Sequence, residues 1–414
     1  MDKDERICIV GAGVSGLSTA YYLEQMGYTN VTVLEKQNRV GGKCHTINYK
    51  GKTYELGAML GVYSNRNVLE LMKEFGVEGL GPILYRGFFD PDGNQIAQID
   101  VEEAKEFQNQ FFRLPEILKD YNDIWEPGYR NIPDSFTVPF KQWCEENEIP
   151  LVMKVYSPPF NAFGYGYFED TPAIYVLKLL NFKLLNYFIE IDHLITLVDG
   201  LEALWEKMGS SLNDLRLSTN ILEIKRGEKV YVKTDLEELE FDKLIISCPL
   251  EKSLEFLDAS ETERELFSKI EYNDFYVFAY KLENIPRVCG YIPANFKKDR
   301  VGHLLVWYYR WQDMAENDLV TVYALGNKNL SPRDVKMRVE DDLKRLGVKV
   351  EGLYTYTKWE HFPHVSGEDI RNGYYDRLEG LQGGRNTYYV GEIMNHSIIE
   401  ECICYCKYFV EKFF

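Results

Sequence analysis

Apolar positions fall into short unbroken runs toward the two ends of the chain and into helical or alternating stretches between them. Ile7-Cys8-Ile9-Val10 reads as a buried strand, followed by a Gly-rich turn, a helical run and a second strand over Val31–Leu34. A helix over Leu201–Leu212 and a strand over Leu215–Ile224 come later, then the buried run Leu244-Ile245-Ile246-Ser247, closed by Pro249. Tyr388-Tyr389-Val390 is a further short strand, and a terminal helix runs through Phe414. This pattern predicts an α/β layer assembled from three separated segments, residues 1–82, 196–261 and 371–414.

Two insertions separate those segments. The first opens with a hairpin, Leu84–Phe89 and Gln95–Ile99 around the turn Asp90-Pro91-Asp92-Gly93. Its remainder is helical, with residues 131–195 expected as a cap. There Thr171 is expected to cap a helix whose first residue is Pro172 and which runs to about Ile189. Lys178, Asn181, Asn186 and Glu190 would mark its polar stripe. The wide apolar remainder suits a core helix by default, and otherwise a membrane-surface helix or a pocket wall. The second insertion, residues 262–370, reads as strands over Phe275–Leu282, His303–Trp311 and Val320–Ala324, forming a mixed sheet with residues 83–130.

Candidate chemistry concentrates in the first turn, Gly11-Ala12-Gly13-Val14-Ser15-Gly16. Gly11 allows the tight turn, Gly13 a close backbone approach to a pyrophosphate, and Gly16 close helix–sheet packing. The helix start supplies free N–H groups and partial positive charge for phosphates. Glu35, at the end of the second strand, is placed to accept ribose hydroxyls and would repel a 2′-phosphate, which disfavours NADP and leaves FAD or NAD.

Composition narrows the rest. The 414 residues suit two or three lobes, and the net charge of −18 argues against nucleic acid and against docking on anionic lipid. The charged start Met1-Asp2-Lys3-Asp4-Glu5-Arg6 leaves no room for a signal peptide, and no apolar run is long enough to span a bilayer. A cytoplasmic protein with reduced thiols is expected, with transient membrane contact and oligomeric state left open. His361 and His364 lack a third ligand nearby, so no metal is expected. The aromatic runs Phe160–Phe168 and Val306–Tyr309 read equally as core or as the wall of an apolar pocket. In the first of them, Gly164 and Gly166 alternate with aromatics, including Phe163 and Tyr165.

Arg39-x-Gly41-Gly42-Lys43 and Glu55-x-Gly57 resemble the flavoprotein amine oxidase and desaturase superfamily, which selects FAD. Lys43 stands where the superfamily usually has Arg, keeping the charge but losing the fork. The resemblance implies cofactor contacts at Gly11, Gly13, Ser15, Gly16, Glu35, Lys36, Gly42, Lys43, Cys44, Gly57, Ala58 and Met59. It implies others at Ile221 beside the adenine, Glu392 on the ribityl or pyrophosphate part, and Ile398 and Ile399 at the flavin pyrimidine edge. The implied fold is a Rossmann-type FAD domain with a mixed-sheet substrate domain and a helical cap.

Several more specific stretches resemble the FAD-containing polyenoic fatty acid isomerases. They are Val40–His45, Tyr54–Val62, Phe163-Gly164-Tyr165-Gly166, Pro172-Ala173 with Tyr175–Lys178, Pro249–Lys252, Phe362–Ser366, and Arg385-Asn386-Thr387 leading to Gly391–Met394. That family's activity, implied here, moves a double bond of a free polyunsaturated acid such as linoleate to give a conjugated product. Hydride goes to flavin N5 and returns at another carbon, with no catalytic side chain. Arg86 matches the family's carboxylate-binding Arg, Phe188 its aromatic lid, and Phe163 and Tyr165 belong to its pocket wall. The alternatives are an oxygen-dependent amine oxidase, for which Lys281 is a candidate N5 lysine, a polyene desaturase, and an apolar-ligand carrier that keeps FAD for structure.

Overall fold

The computed structural model describes residues 2–58, 65–77, 79, 81–180, 193–194 (backbone), 196–311 and 319–414. Its first layer is a five-stranded, wholly parallel sheet. The strand order is Thr387–Tyr389, Lys243–Ile246, Ile7–Val10, Val31–Leu34 and Asp214–Arg216. The short apolar runs are parallel strands because both of their faces are covered: every residue of Ile7–Val10 and Val31–Leu34 is buried. The helix Val14–Gln25 packs against the last helix, Ile399–Phe413, so the two ends of the chain meet at this sheet.

The strand expected over Leu215–Ile224 is two strands in two sheets. Asp214–Arg216 extends the parallel sheet, and Ile221–Arg226 joins an antiparallel ribbon with Val230–Thr234 and Glu238–Phe241. The break lies at Ser218, whose φ is +52°. The turned backbone then bonds beneath Glu35, with Ser218 N–H donating to Gln37 O at 2.8 Å and Thr219 N–H to Glu35 O at 2.9 Å.

The second layer is a large mixed sheet in which Lys349–His364, Glu271–Glu283, Leu319–Gly326, Leu304–Tyr308 and Cys289–Tyr291 run antiparallel in that order. Leu84–Phe89 then adds in parallel to Cys289–Tyr291, with Gln95–Ile96 at the edge. Both insertions therefore supply one sheet.

Helices Phe140–Glu146, Pro150–Asn161 and Ala173–Leu177 lie in the region expected as the cap. Two details there differ from expectation. Thr171 caps nothing: its hydroxyl donates to Tyr167 O at 2.9 Å, and Pro172 is the extended residue before the helix. The cause is local pairing, since Phe140 N–H donates to Thr171 O and Ala173 N–H to Val138 O. Lys178, expected on a polar stripe, is buried, because its ammonium has carbonyl partners that replace water. The expected continuation to Ile189, with Asn181, Asn186, Phe188 and Glu190, lies outside the described residues, as does Met59. No helix among the described residues is long and apolar enough to cross a membrane.

Candidate active site

One elongated cavity of about 1190 Å³ runs from the parallel sheet to the large sheet and the cap. At its nucleotide end the backbone forms the wall. Gly11 has a φ of +105°, and a Cβ on Gly16 would stand 2.0 Å from Gly11 O. No side chain caps the helix that starts at Val14, so its first N–H groups stay available to an anion. Glu35 is fixed by backbone donors on both oxygens, Ala12 N–H at 2.8 Å and Gln37 N–H at 2.7 Å. A carboxylate held this way retains lone pairs for hydroxyl donors.

The second loop closes on the first. Gly41 N–H donates to Ala12 O at 2.8 Å, and Gly42, with a φ of +57°, has room for its Cβ only 3.1 Å from Gly13 Cα. Arg39 staples this loop from behind through Gly42 O at 2.7 Å, Cys44 O at 3.2 Å and Glu202 at 3.1 Å. A Cβ on Gly57 would fall 1.8 Å from Lys43 O, so the chain passes there with no side-chain space at all. Lys43 pairs with Glu392 at 2.8 Å, and Ser397 donates to the same carboxylate at 3.0 Å. This pair bridges residues 349 positions apart and sits midway along the cavity. Beyond it the wall includes Ile398, Ile399 and the first turn of the last helix, whose start also lacks a side-chain cap.

The far end is aromatic. Phe163 and Tyr165 line it with Phe275, Tyr323, Trp359 and His361. Gly164, at a φ of +86°, permits this closeness, because a Cβ there would stand 2.6 Å from the Phe275 ring. The His361 ring lies between Tyr165 (5.2 Å) and Phe275 (5.4 Å). Burial, reinforced by the charge of Lys43, holds its pKa well below the ordinary histidine value, so it is neutral. Burial likewise pushes the Tyr165 hydroxyl up, so neither of these two groups carries charge at neutral pH.

The cavity brings most of the expected residues together. Gly11, Gly13, Ser15, Glu35, Lys36, Gly42, Lys43, Cys44, Gly57, Ala58, Ile221, Glu392, Ile399, Phe163 and Tyr165 all line it. Gly16 stands just behind the wall, under Gly11. Arg86 is half-buried on Leu84–Phe89, in register with Cys289 and outside the described wall. Lys281 is also outside it, with its ammonium 5.6 Å from the Tyr49 ring. His45 pairs with Glu202 at 3.2 Å rather than facing the cavity.

Sequence reasoning missed Tyr156, Tyr272, Phe275, Tyr323, Trp359 and His361 as wall residues. For two of them the link is strand register, which the sequence does not show: Phe275 sits directly opposite Trp359 in paired strands. Lys178 was missed as well. It donates to Ile124 O (3.1 Å), Glu126 O (2.7 Å) and Gly128 O (2.8 Å), and burial lowers its pKa to about 8.

A glycine cradle, an uncapped helix start and a fixed acid at the second strand fit the diphosphate and ribose of a dinucleotide. The continuous wall beyond them gives it a length suited to FAD. These features define a flavoprotein of the amine-oxidase fold. The family model described as flavin containing amine oxidoreductase matches residues 14–403, and the chain belongs to that family, with FAD as its cofactor. The crystal structure of a CLA-producing fatty acid isomerase from P. acnes superposes with a TM-score of 0.96 at 36% identity, covering 100% of both chains. An FAD-dependent oxidoreductase of Cochliobolus heterostrophus is 26% identical over 93% of this chain and 86% of its own length. A polyenoic fatty acid isomerase of Ptilota filicina is 22% identical over 42% of this chain and 41% of its own.

Proposed function

We propose that this protein is an FAD-dependent isomerase that shifts a double bond of a free polyunsaturated fatty acid, such as linoleate, into conjugation. The observation that carries this reading is the aromatic end of the cavity: Phe163, Tyr165, Phe275, Tyr323 and Trp359 around a neutral His361. The whole-length likeness to the P. acnes isomerase supports it.

Substrate and product have the same composition, so the reaction needs no external electron acceptor. Bound in this cavity, FAD supplies reversible two-electron redox chemistry. The chain's own residues position and desolvate. The aromatic rings exclude water and offer π faces to positive charge on a polyene. With His361 neutral and a poor base, it is ill-suited to remove a proton from a cationic polyene. In this reading Gly11, Gly13, Ser15 and Gly42 hold the diphosphate, Glu35 the ribose, and Lys43 with Glu392 the segment between diphosphate and ring. Arg86 binds the substrate carboxylate; Phe188, the lid candidate of the resemblance, lies outside the described residues. The three chain segments that build the parallel sheet form the FAD domain, the large sheet the substrate domain, and residues 131–195 the cap. All eight cysteines are free thiols, which suits a reducing, cytoplasmic setting.

The test is anaerobic incubation of the holoenzyme with linoleate, following conjugated-diene absorbance, and a parallel aerobic run with oxygen uptake. Diene formation at the same rate without oxygen is expected. Peroxide from amines, with no diene, would replace this reading by an amine oxidase.

A further inference from the structure

Near Phe163 the cavity wall also includes Tyr156 and Pro159 of helix Pro150–Asn161 and Leu179. All three are buried, and Tyr156 is only 2% exposed. Tyr156 rests on Phe160 at 6.3 Å, in a helix stiffened by Pro158 and Pro159. Lys178 stands beside this corner, but it offers the cavity no free donor: its bonds go to the Ile124, Glu126 and Gly128 carbonyls. That loop is in turn tied to the last helix, as Gly128 N–H donates to Asn395, whose amide donates to Glu401. Among the described residues the corner is therefore firmly backed and offers no side-chain anchor for a carboxylate.

The opposite direction is different. From Tyr323 in the wall, Tyr308 lies 4.9 Å away on the next strand. Tyr308 is in register with Cys289, and Cys289 with Arg86. Tyr308 and Cys289 are wholly buried, so these side chains form a packed band from the Tyr323 wall toward the Arg86 guanidinium.

We propose that the acyl chain lies with its carboxylate toward Arg86 and its methyl end against Tyr156, Pro159 and Leu179, and that Tyr156 sets the length accepted on the methyl side. The proposal rests on the fatty acid reading above. Tyr156 acts by shape: its ring occupies the space that further methylenes would need.

The experiment uses holoenzyme and dienoic acids with double bonds fixed at the ninth and twelfth carbons, in chains of sixteen, eighteen and twenty carbons. Only the methyl side then varies. Tyr156→Ala is expected to raise kcat/KM for the twenty-carbon acid relative to the eighteen-carbon acid by about tenfold, mainly through KM. Tyr156→Phe, which keeps the ring, should leave the wild-type profile unchanged. An unchanged profile in Tyr156→Ala, or equal gains for all three chain lengths, would overturn the proposal. Should Tyr156→Ala fail to retain FAD, Leu179→Ala carries the same test. If wild type conjugates no acid, the isomerase reading fails by itself. Length selection is then read from perturbation of the flavin spectrum by saturated acids of graded length. Binding that lengthens in Tyr156→Ala upholds the methyl-end site, and no length response refutes it.

Discussion

At the nucleotide end of the cavity the groups that meet the ligand are mostly main chain: the Gly11–Gly16 turn, the Gly41–Gly42 crossing and the Gly57 passage, with Glu35 pinned by two backbone donors. At the aromatic end they are side chains, from helix Pro150–Asn161 and the turn after it (Tyr156, Phe163, Tyr165) and from three strands of the large sheet (Phe275, Tyr323, Trp359). Backbone walls tolerate almost no substitution, because the contact is the chain itself. Side-chain walls keep their strands while the rings on them change. One end is thus fixed to a single cofactor, and the other is free to be reshaped around different substrates.

The contrast predicts unequal consequences. Gly16→Ala has the largest expected effect: a methyl 2.0 Å from the Gly11 carbonyl cannot fit without moving the turn. The purified protein should come out without bound flavin, which absorbance against protein content checks. A yellow, fully loaded variant would mean the cradle is softer than its geometry implies.

Arg226→Met comes next. Arg226 is buried between Glu263 and Asp258, both at 2.6 Å, and ties the antiparallel ribbon to Tyr389 of the parallel sheet. Its loss leaves the Glu263 carboxylate buried without its guanidinium partner and should cost about 3–5 kcal/mol, read by denaturant unfolding. The same network carries an acid-side signature. Burial pushes the Glu263 carboxyl up, but its bonds to Arg226 and Tyr389 outweigh that and hold it at about 2. A depressed folded pKa contributes stability above the ordinary glutamate value and loses it as pH falls toward about 2. A Glu263→Gln variant should therefore show a flatter loss of Tm between neutral and acid pH, and an unchanged slope would assign the acid limb elsewhere.

Arg86→Ala is the smallest of the three and touches only the other end. Binding of free acids should weaken about tenfold or more, with methyl esters much less affected and flavin content unaltered. Equal losses for acid and ester would remove the carboxylate role. A loss of flavin would show that the two ends are not separable.

Legibility in the sequence followed the same division. The cradle could be read because each of its parts is local: a strand, a turn with glycines at set intervals, a helix, and an acid closing the next strand. Three of the large sheet's strands and the first hairpin arm were visible from their apolar runs, but its longest strand, Lys349–His364, was not, and the second arm is only Gln95–Ile96. The aromatic wall was not visible as a wall. Phe275, Tyr323 and Trp359 come together only through strand register, which no local pattern encodes. Phe163 and Tyr165 could be found because glycines interrupt their run. Lys178 was misplaced because helical periodicity sorts residues by polarity, whereas three carbonyls of a remote loop made burial favourable. The turn at Ser218 was hidden in a stretch that is apolar on both sides of it.

The parallel sheet takes its edge strand from Thr387–Tyr389, and the cavity wall runs from Val10 to Cys402. During synthesis the Gly11 turn emerges well before Val390–Cys402, so it faces an open groove until that segment has followed. A nascent chain has the diphosphate cradle early but cannot enclose the flavin. Cofactor capture therefore waits for the segment that ends at Cys402, and a shortage of FAD would leave folded chains with an unfilled cleft between their two sheets.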